Sequence, residues 1–168
     1  DPSPSAQDTS LALSRQRLFS DPLLHQFVPQ DPVPLEKIRE RCVRWSNRRS
    51  SDSRELWLNW AARHRDTGQV IAHFQVGVNA SHDEVATIGY LVSRTYQQQG
   101  YASEGLTAVF EFLRDQLGIS EVKAWSDTRN LASHRLAEKL GMVKVDLIKD
   151  ADFFKGSSSD EFVFSKRF

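Results

Sequence analysis

The sequence predicts one α/β domain built on a mixed sheet, and three observations carry that prediction. Residues 56–62, 70–78 and 84–92 read as successive strands of a meander, with Asp66-Thr67-Gly68-Gln69 and Ser81-His82-Asp83 as its turns. Ala102, Leu106, Val109, Phe110, Leu113 and Leu117 then recur at helical spacing, so one helix face is apolar up to Gly118, which reads as a C-cap. A short strand over 121–125 completes a strand–helix–strand crossover, and such a crossover joins parallel strands.

Bulk properties suit a domain of this kind. The chain of 168 residues fits a single domain over 1–168 with a real core. Its 22 basic side chains balance 22 acidic ones, so charge gives no sign of nucleic-acid binding or membrane attraction. Cys42 is the single cysteine, which excludes an internal disulfide and a cysteine-rich metal site. His25, His64, His82 and His134 make no metal-binding spacing, and no metal is expected. No apolar run nears the roughly 20 residues of a bilayer span. No signal peptide is visible either, so a cytoplasmic setting is expected, although a chain numbered from Asp1 leaves a removed segment open. Asn79-Ala80-Ser81 fits a glycosylation sequon but has no secretory context.

Residues 1–10 are rich in proline, serine and aspartate and are expected to be poorly ordered. Residues 11–19 suggest a first strand. Asp21-Pro22 opens a helix with a capping carboxylate and a proline at the first position, followed by Leu23, Leu24, Phe27 and Val28. Beyond the break at 31–34, Leu35, Ile38, Cys42 and Trp45 share a helical face. Arg39, Arg41, Arg44, Arg48, Arg49 and Arg54 crowd this region, either as a solvated face or as a patch for an acidic substrate or partner.

Trp57 and Trp60 fall on opposite faces of their strand, one for the core and one for an acceptor or interface surface. His73 reads as a packed or hydrogen-bonded strand residue. Asn130 caps a second helix, in which Leu136 and Leu140 face the core and Gly141 is the stop. A strand over 143–148, a loop carrying Phe153, Phe154 and Gly156-Ser157-Ser158-Ser159, and a last strand over 161–168 close the chain.

Function is concentrated between Ile88 and Leu106. The apolar run 86–92 feeds a polar loop, Gln97-Gln98-Gln99-Gly100-Tyr101-Ala102, which opens the long helix. The first N–H groups of a helix lack intrahelical partners and sit at the positive end of its dipole, so such an end binds phosphate without a lysine. Gly100 supplies a permissive backbone and Ala102 allows close approach. No Gly-Lys-Ser/Thr follows, and the glycines of a dinucleotide fingerprint are missing.

This loop resembles the acetyl-CoA signature of the GNAT N-acetyltransferase superfamily: glutamine or arginine, two variable residues, glycine, one variable residue, then glycine or alanine. Its flanks, Gly89-Tyr90-Leu91-Val92 and Tyr101-Ala102-Ser103-Glu104, look like the branch that includes the ribosomal-protein N-terminal acetyltransferases. A second resemblance lies in 130–142, where asparagine, a small residue three positions on and Lys-x-Gly-Met recur in the family's order. The resemblance covers roughly residues 56–168 and implies the GNAT fold: a mixed, mostly antiparallel sheet, helices on both faces, and a splayed cofactor-binding strand.

It further implies acetyl-CoA as the acyl donor and a primary amine as acceptor, with the enzyme a monomer or homodimer. By the same resemblance, backbone groups of Leu91 and Val92 would pair with the pantetheine arm. Residues Gln97, Gln98, Gln99, Gly100, Tyr101 and Ala102 would hold the pyrophosphate, and Asn130 would contact the arm. Two family positions differ here, because the strand glutamate used as a base is replaced by Ala86 and the tyrosine acid by Ala137. Glu84 lies two residues from Ala86 on the same face and is the candidate base. Ser133 matches the serine placed to protonate the thiolate in the ribosomal-protein branch.

Lack of a strong base favours an amine that is neutral near pH 7, such as a peptide α-amine. Open alternatives are a small-molecule amine (antibiotic, polyamine or amino acid) and a non-catalytic acyl-CoA-binding module.

Overall fold

The computed structural model describes residues 15–16, 18–50, 52–79 and 84–168. The strands are β1 (Glu55–Arg63), β2 (Val70–Asn79), β3 (Val85–Val92), β4 (Glu121–Asp127), β5 (Val143–Phe154) and β6 (Ser157–Arg167). They form one sheet in the order β1-β2-β3-β4-β6-β5. Among the described residues only β3 and β4 pair in parallel, and the other neighbours are antiparallel. The sheet is therefore mixed and mostly antiparallel, as expected. The longer α-helices among the described residues are α1 (Leu35–Ser46), α2 (Tyr101–Leu117) and α3 (Leu131–Lys139).

Strand alternation sends neighbouring side chains to opposite layers. Phe74 of β2 faces α2, which lies so close that a Cβ at Gly105 would stand 2.4 Å from the Phe74 ring. His73 points the other way, stacked 4.7 Å from Trp45 of α1 and 5.1 Å from Phe19. Helices thus cover both faces. The larger core joins Phe74, Val76, Ile88, Leu106, Phe110, Leu113, Val122 and Phe164, and a smaller one joins Phe19, Val33 and Ile38, with Cys42, Trp45 and Leu91 packed on it. Trp60 packs on the larger core, edge-on to Phe112, while Trp57 donates to Glu55 Oε2 at 2.7 Å.

Two stretches differ from the sequence reading. Residues 15, 16, 18 and 19, expected in a strand, are helical. Arg15, Leu18 and Phe19 are all buried, and that i, i+3, i+4 spacing is a helix face. The turn at 81–83, most of the sequon and residues 1–14 lie outside the described residues.

The second difference is the end of the chain, where the expected serine loop is strand. β5 and β6 form one long hairpin closed by Lys155 (φ +51°) and Gly156 (φ +80°). Two consecutive positive φ angles match the twist of the flanking strands. Ser159 is buried and donates to Asp127 Oδ2 at 2.7 Å, so its hydroxyl is a structural tie between β6 and β4. Asp21-Pro22 opens only a short 3-10 turn, Pro22–His25, with the Asp21 carboxylate accepting from the Leu23 N–H.

Candidate active site

β3 and β4 are paired only from Val85 to Thr87 on one strand and Glu121 to Lys123 on the other. Beyond that point β3 keeps its partner β2 as far as Val92, and β4 keeps its partner β6 as far as Asp127. The two strands therefore part, and a gap opens between Tyr90–Val92 and the end of β4. This is the splayed strand the sequence predicted.

The register decides which backbone groups face the gap. Ser93 N–H donates to Ile71 O across the end of the β2–β3 ladder. Antiparallel pairs alternate between bonded and non-bonded, so Leu91 exchanges its bonds with His73. Tyr90 and Val92 turn their N–H and C=O groups towards the gap instead. Of the two expected backbone contacts, Val92 thus faces the gap, whereas Leu91 is paired with β2. The Val92 carbonyl already accepts from Gln97 Nε2 at 3.0 Å, which ties the loop to the strand.

Where the loop meets α2, Gly100 sits at φ +90° as the N-cap, and no side chain caps the helix. The first N–H groups of α2 are left for a ligand. Gln98 also has positive φ (+59°), and Gln99 is held by its own amide on Thr95 O at 2.7 Å. Tyr96 and Tyr101 pack edge-on at 5.9 Å, both against His64. The loop is thus fixed by side-chain amides and edge-on or tilted ring contacts.

Loop, strand and α3 line a single cleft of about 810 Å³. It holds Gln97, Gln98, Gly100, Tyr101, Ala102, Leu91, Val92, Asn130 and Ser133 together. Asn130 Oδ1 accepts from the Ser133 N–H at 3.2 Å and so caps α3, as expected of it. Ser133 Oγ lies 2.7 Å from the phenol oxygen of Tyr90. Burial pushes the Tyr90 phenol above its ordinary range, and the Ser133 bond opposes that shift.

Two of the expected site residues stand apart from this lining. Gln99 borders the loop but not the cleft. Glu84 sits at the other end of β3, where its carbonyl accepts from Ser120 and Glu121. Six residues of extended chain, roughly 20 Å, separate it from Tyr90. The structure does not bring Glu84 to the cleft. His73 is likewise away from it, buried between Trp45 and Phe19, with its imidazole held down at about 3 by burial and by Arg15.

Other wall residues were not picked out from sequence. Tyr90 was read only as part of the strand, although it shares a face with Ile88 and Val92. Arg135 and Lys139 lie four apart on α3 and add two cations to the lining, with Arg94 a third. Leu23, Leu24, Gln26 and Phe27 close the far wall. Their segment is pinned by Lys155, whose Nζ donates to the carbonyls of His25 and Val28. Leu23, Leu24 and Phe27 were legible as an early helical segment, but the tie that seats it here was not, because it spans 130 positions of sequence.

An open-edged strand pair, an uncapped helix N-terminus and a cation-lined cleft between them define a protein built to hold an extended anionic cofactor. The profile of the Acetyltransferase (GNAT) domain matches residues 4–143, and the chain belongs to the GNAT acetyltransferase family. Among curated relatives it is 30% identical to the uncharacterized N-acetyltransferase YoaA of Bacillus subtilis over 108 residues. That match covers 64% of this chain and 61% of the relative.

Solved structures agree on the fold. An acetyl transferase from Salmonella typhimurium that modifies the N-terminal serine of 50S ribosomal subunit protein L7/L12 superposes with a TM-score of 0.78 at 18% identity, covering 98% of this chain and 93% of that one. A spermidine N-acetyltransferase from Vibrio cholerae, solved with CoA and spermine, superposes equally (0.78) at 13% identity, over 98% and 92%. Fold likeness therefore does not choose between a protein and a small-molecule acceptor.

Proposed function

We propose that this protein moves the acetyl group of acetyl-CoA to a peptide α-amine, or to another amine of similarly low basicity, by direct attack. The observation that carries this reading is the absence of any carboxylate from the cleft lining among the described residues. A site without a strong base needs an amine that is already neutral. An α-amine titrates near 8 and a lysine near 10.4, so at pH 7 the former is neutral roughly 250 times more often. A polyamine, which carries several positive charges, would meet Arg94, Arg135 and Lys139 rather than acidic partners.

In this reading the amides from Gln98 to Ala102 take the pyrophosphate at the start of α2. The backbone groups of Tyr90 and Val92 take the pantetheine arm and support the oxyanion that develops on the thioester carbonyl. Ser133 gives a proton to the departing thiolate. Asn130 positions Ser133 through the cap and offers its amide to the arm.

The test is thiol release from acetyl-CoA across a panel of N-terminal peptides, lysine peptides, spermidine, amino acids and aminoglycosides. Turnover concentrated on N-terminal peptides is expected. Fast turnover of internal lysine or spermidine with none of N-terminal peptides would overturn the acceptor assignment.

A further inference from the structure

We infer that Tyr90 is a positioning residue for the transfer, acting through Ser133: it donates to Ser133 Oγ and so leaves the serine's own hydrogen to point at the leaving sulfur. The inference rests on the reading of Ser133 as proton donor. Its ground is the 2.7 Å approach between the Tyr90 and Ser133 oxygens, made across 43 positions of sequence inside the cleft. A hydroxyl on a helix commonly bonds its own backbone, as Thr107 does by donating to Ser103 O at 2.8 Å. Ser133 does not. Its hydroxyl reaches out of α3 to the splayed half of β3, where the thioester would lie.

The direction of the bond follows from acidity. A phenol releases its proton far more readily than an alkyl hydroxyl, so Tyr90 is the donor and Ser133 the acceptor. Burial of the phenol favours its protonated form, which keeps it a donor across the neutral range. An accepting Ser133 has one hydrogen left to direct, and with one lone pair occupied that hydrogen is confined to fewer orientations. During transfer the amine lone pair forms the N–C bond to the acetyl carbon, and the C–S bond breaks with its electron pair on sulfur, which takes the Ser133 hydrogen. Ser133 regains a proton from the one lost by the attacking nitrogen, carried by water. Tyr90 keeps its own proton throughout.

A positioning role and a plain structural tie between β3 and α3 differ in whether the effect of Tyr90 depends on Ser133. The experiment is a double-mutant cycle on kcat with Tyr90→Phe, Ser133→Ala and the double variant, using the best acceptor of the panel. Tyr90→Phe is expected to lower kcat about 10-fold, with acetyl-CoA affinity unchanged, and to cost less than 2-fold when Ser133 is already alanine. Equal losses in both backgrounds, or no loss in the first, would overturn the role of Tyr90. If Ser133→Ala leaves kcat intact, the serine itself has been misassigned, a failure distinct from that of Tyr90 alone.

A second measurement needs no deletion of the hydroxyl. Site-specific 3-fluorotyrosine at position 90 keeps the ring and makes the phenol more acidic. An ionised phenol accepts from Ser133 instead of donating. The alkaline limb of the kcat profile is therefore expected to move to lower pH, and an unmoved limb would refute the positioning role of Tyr90.

Discussion

At the residue scale, the proposed reaction turns on the Ser133 hydroxyl. Ser133→Ala is expected to lower kcat by roughly 100-fold or more, as for loss of one positioned general acid, while calorimetric acetyl-CoA affinity stays within about 2-fold. A fall in affinity with kcat intact would make Ser133 a binding residue instead.

A second residue-scale prediction concerns His73. Its imidazole titrates near 6.5 in an ordinary setting, but burial, with the charge of Arg15 beside it, holds it at about 3 in the fold. Between those two values the unfolded chain binds more protons. Stability is therefore complete above pH 6.5 and falls as pH drops through that window, by at most about 1.4 kcal/mol per unit. His73→Phe, which suits a site walled by Trp45 and Phe19, should flatten this acid limb. Urea midpoints at pH 7.5 and 5 check it, and parallel losses in both proteins would put the acid sensitivity elsewhere.

Side-chain chemistry was the least legible level of the sequence. Ser133 and Asn130 were visible because they sit at fixed offsets in one helix start. Tyr90 was not, since its partner is a whole crossover away. Glu84 was proposed from face parity alone, and parity says nothing about distance along a strand.

At the element scale, the start and packing of α2 are the features most exposed to test. Gly100 has open space around a built Cβ, yet its φ of +90° strains any L side chain. Gly100→Ala should cost about 1–2 kcal/mol in the loop geometry and weaken acetyl-CoA binding roughly 10-fold. Unchanged affinity would mean that the loop does not set the phosphate site.

Gly105 is the reverse case, with no strain in φ but no room. A methyl there would enter the buried Phe74 ring at 2.4 Å. Gly105→Ala should destabilise by about 1–3 kcal/mol through overpacking, read as a lower melting temperature. An unchanged melting temperature would show that α2 has slack over β2.

Elements with strong periodicity were legible, including α2 with its Gly118 cap at φ +67° and the β1–β2–β3 meander. The β5–β6 hairpin was not, because serine-rich composition looks like loop. What makes it strand is tertiary: Ser159 satisfies Asp127, and Arg129 grips the same carboxylate at 2.5 Å and 2.8 Å. That pairing, led by the Arg129 hydrogen bonds, pulls the Asp127 carboxyl down to about 2. No local pattern announces such a tie.

At the scale of the whole molecule, topology produces the site. The parallel pair β3–β4 is held over three residues only, and the strands part where the N-termini of α2 and α3 line the cleft. The cleft forms between elements from four regions: the end of β3, the loop with α2, α3, and the segment around residues 23–27. Motif order gave the first three in advance. The last was legible as a helical segment, and the residue that seats it against the cleft, Lys155, came with the fold.

The measurement that decides most is thiol release from acetyl-CoA with an N-terminal peptide, against a lysine peptide and spermidine, run beside calorimetric acetyl-CoA binding. Micromolar binding with turnover on the α-amine peptide, at least about 10-fold faster than on either rival at neutral pH, is the expected result. Binding without turnover on any amine would contradict the enzyme reading, and no binding at all would contradict the site itself.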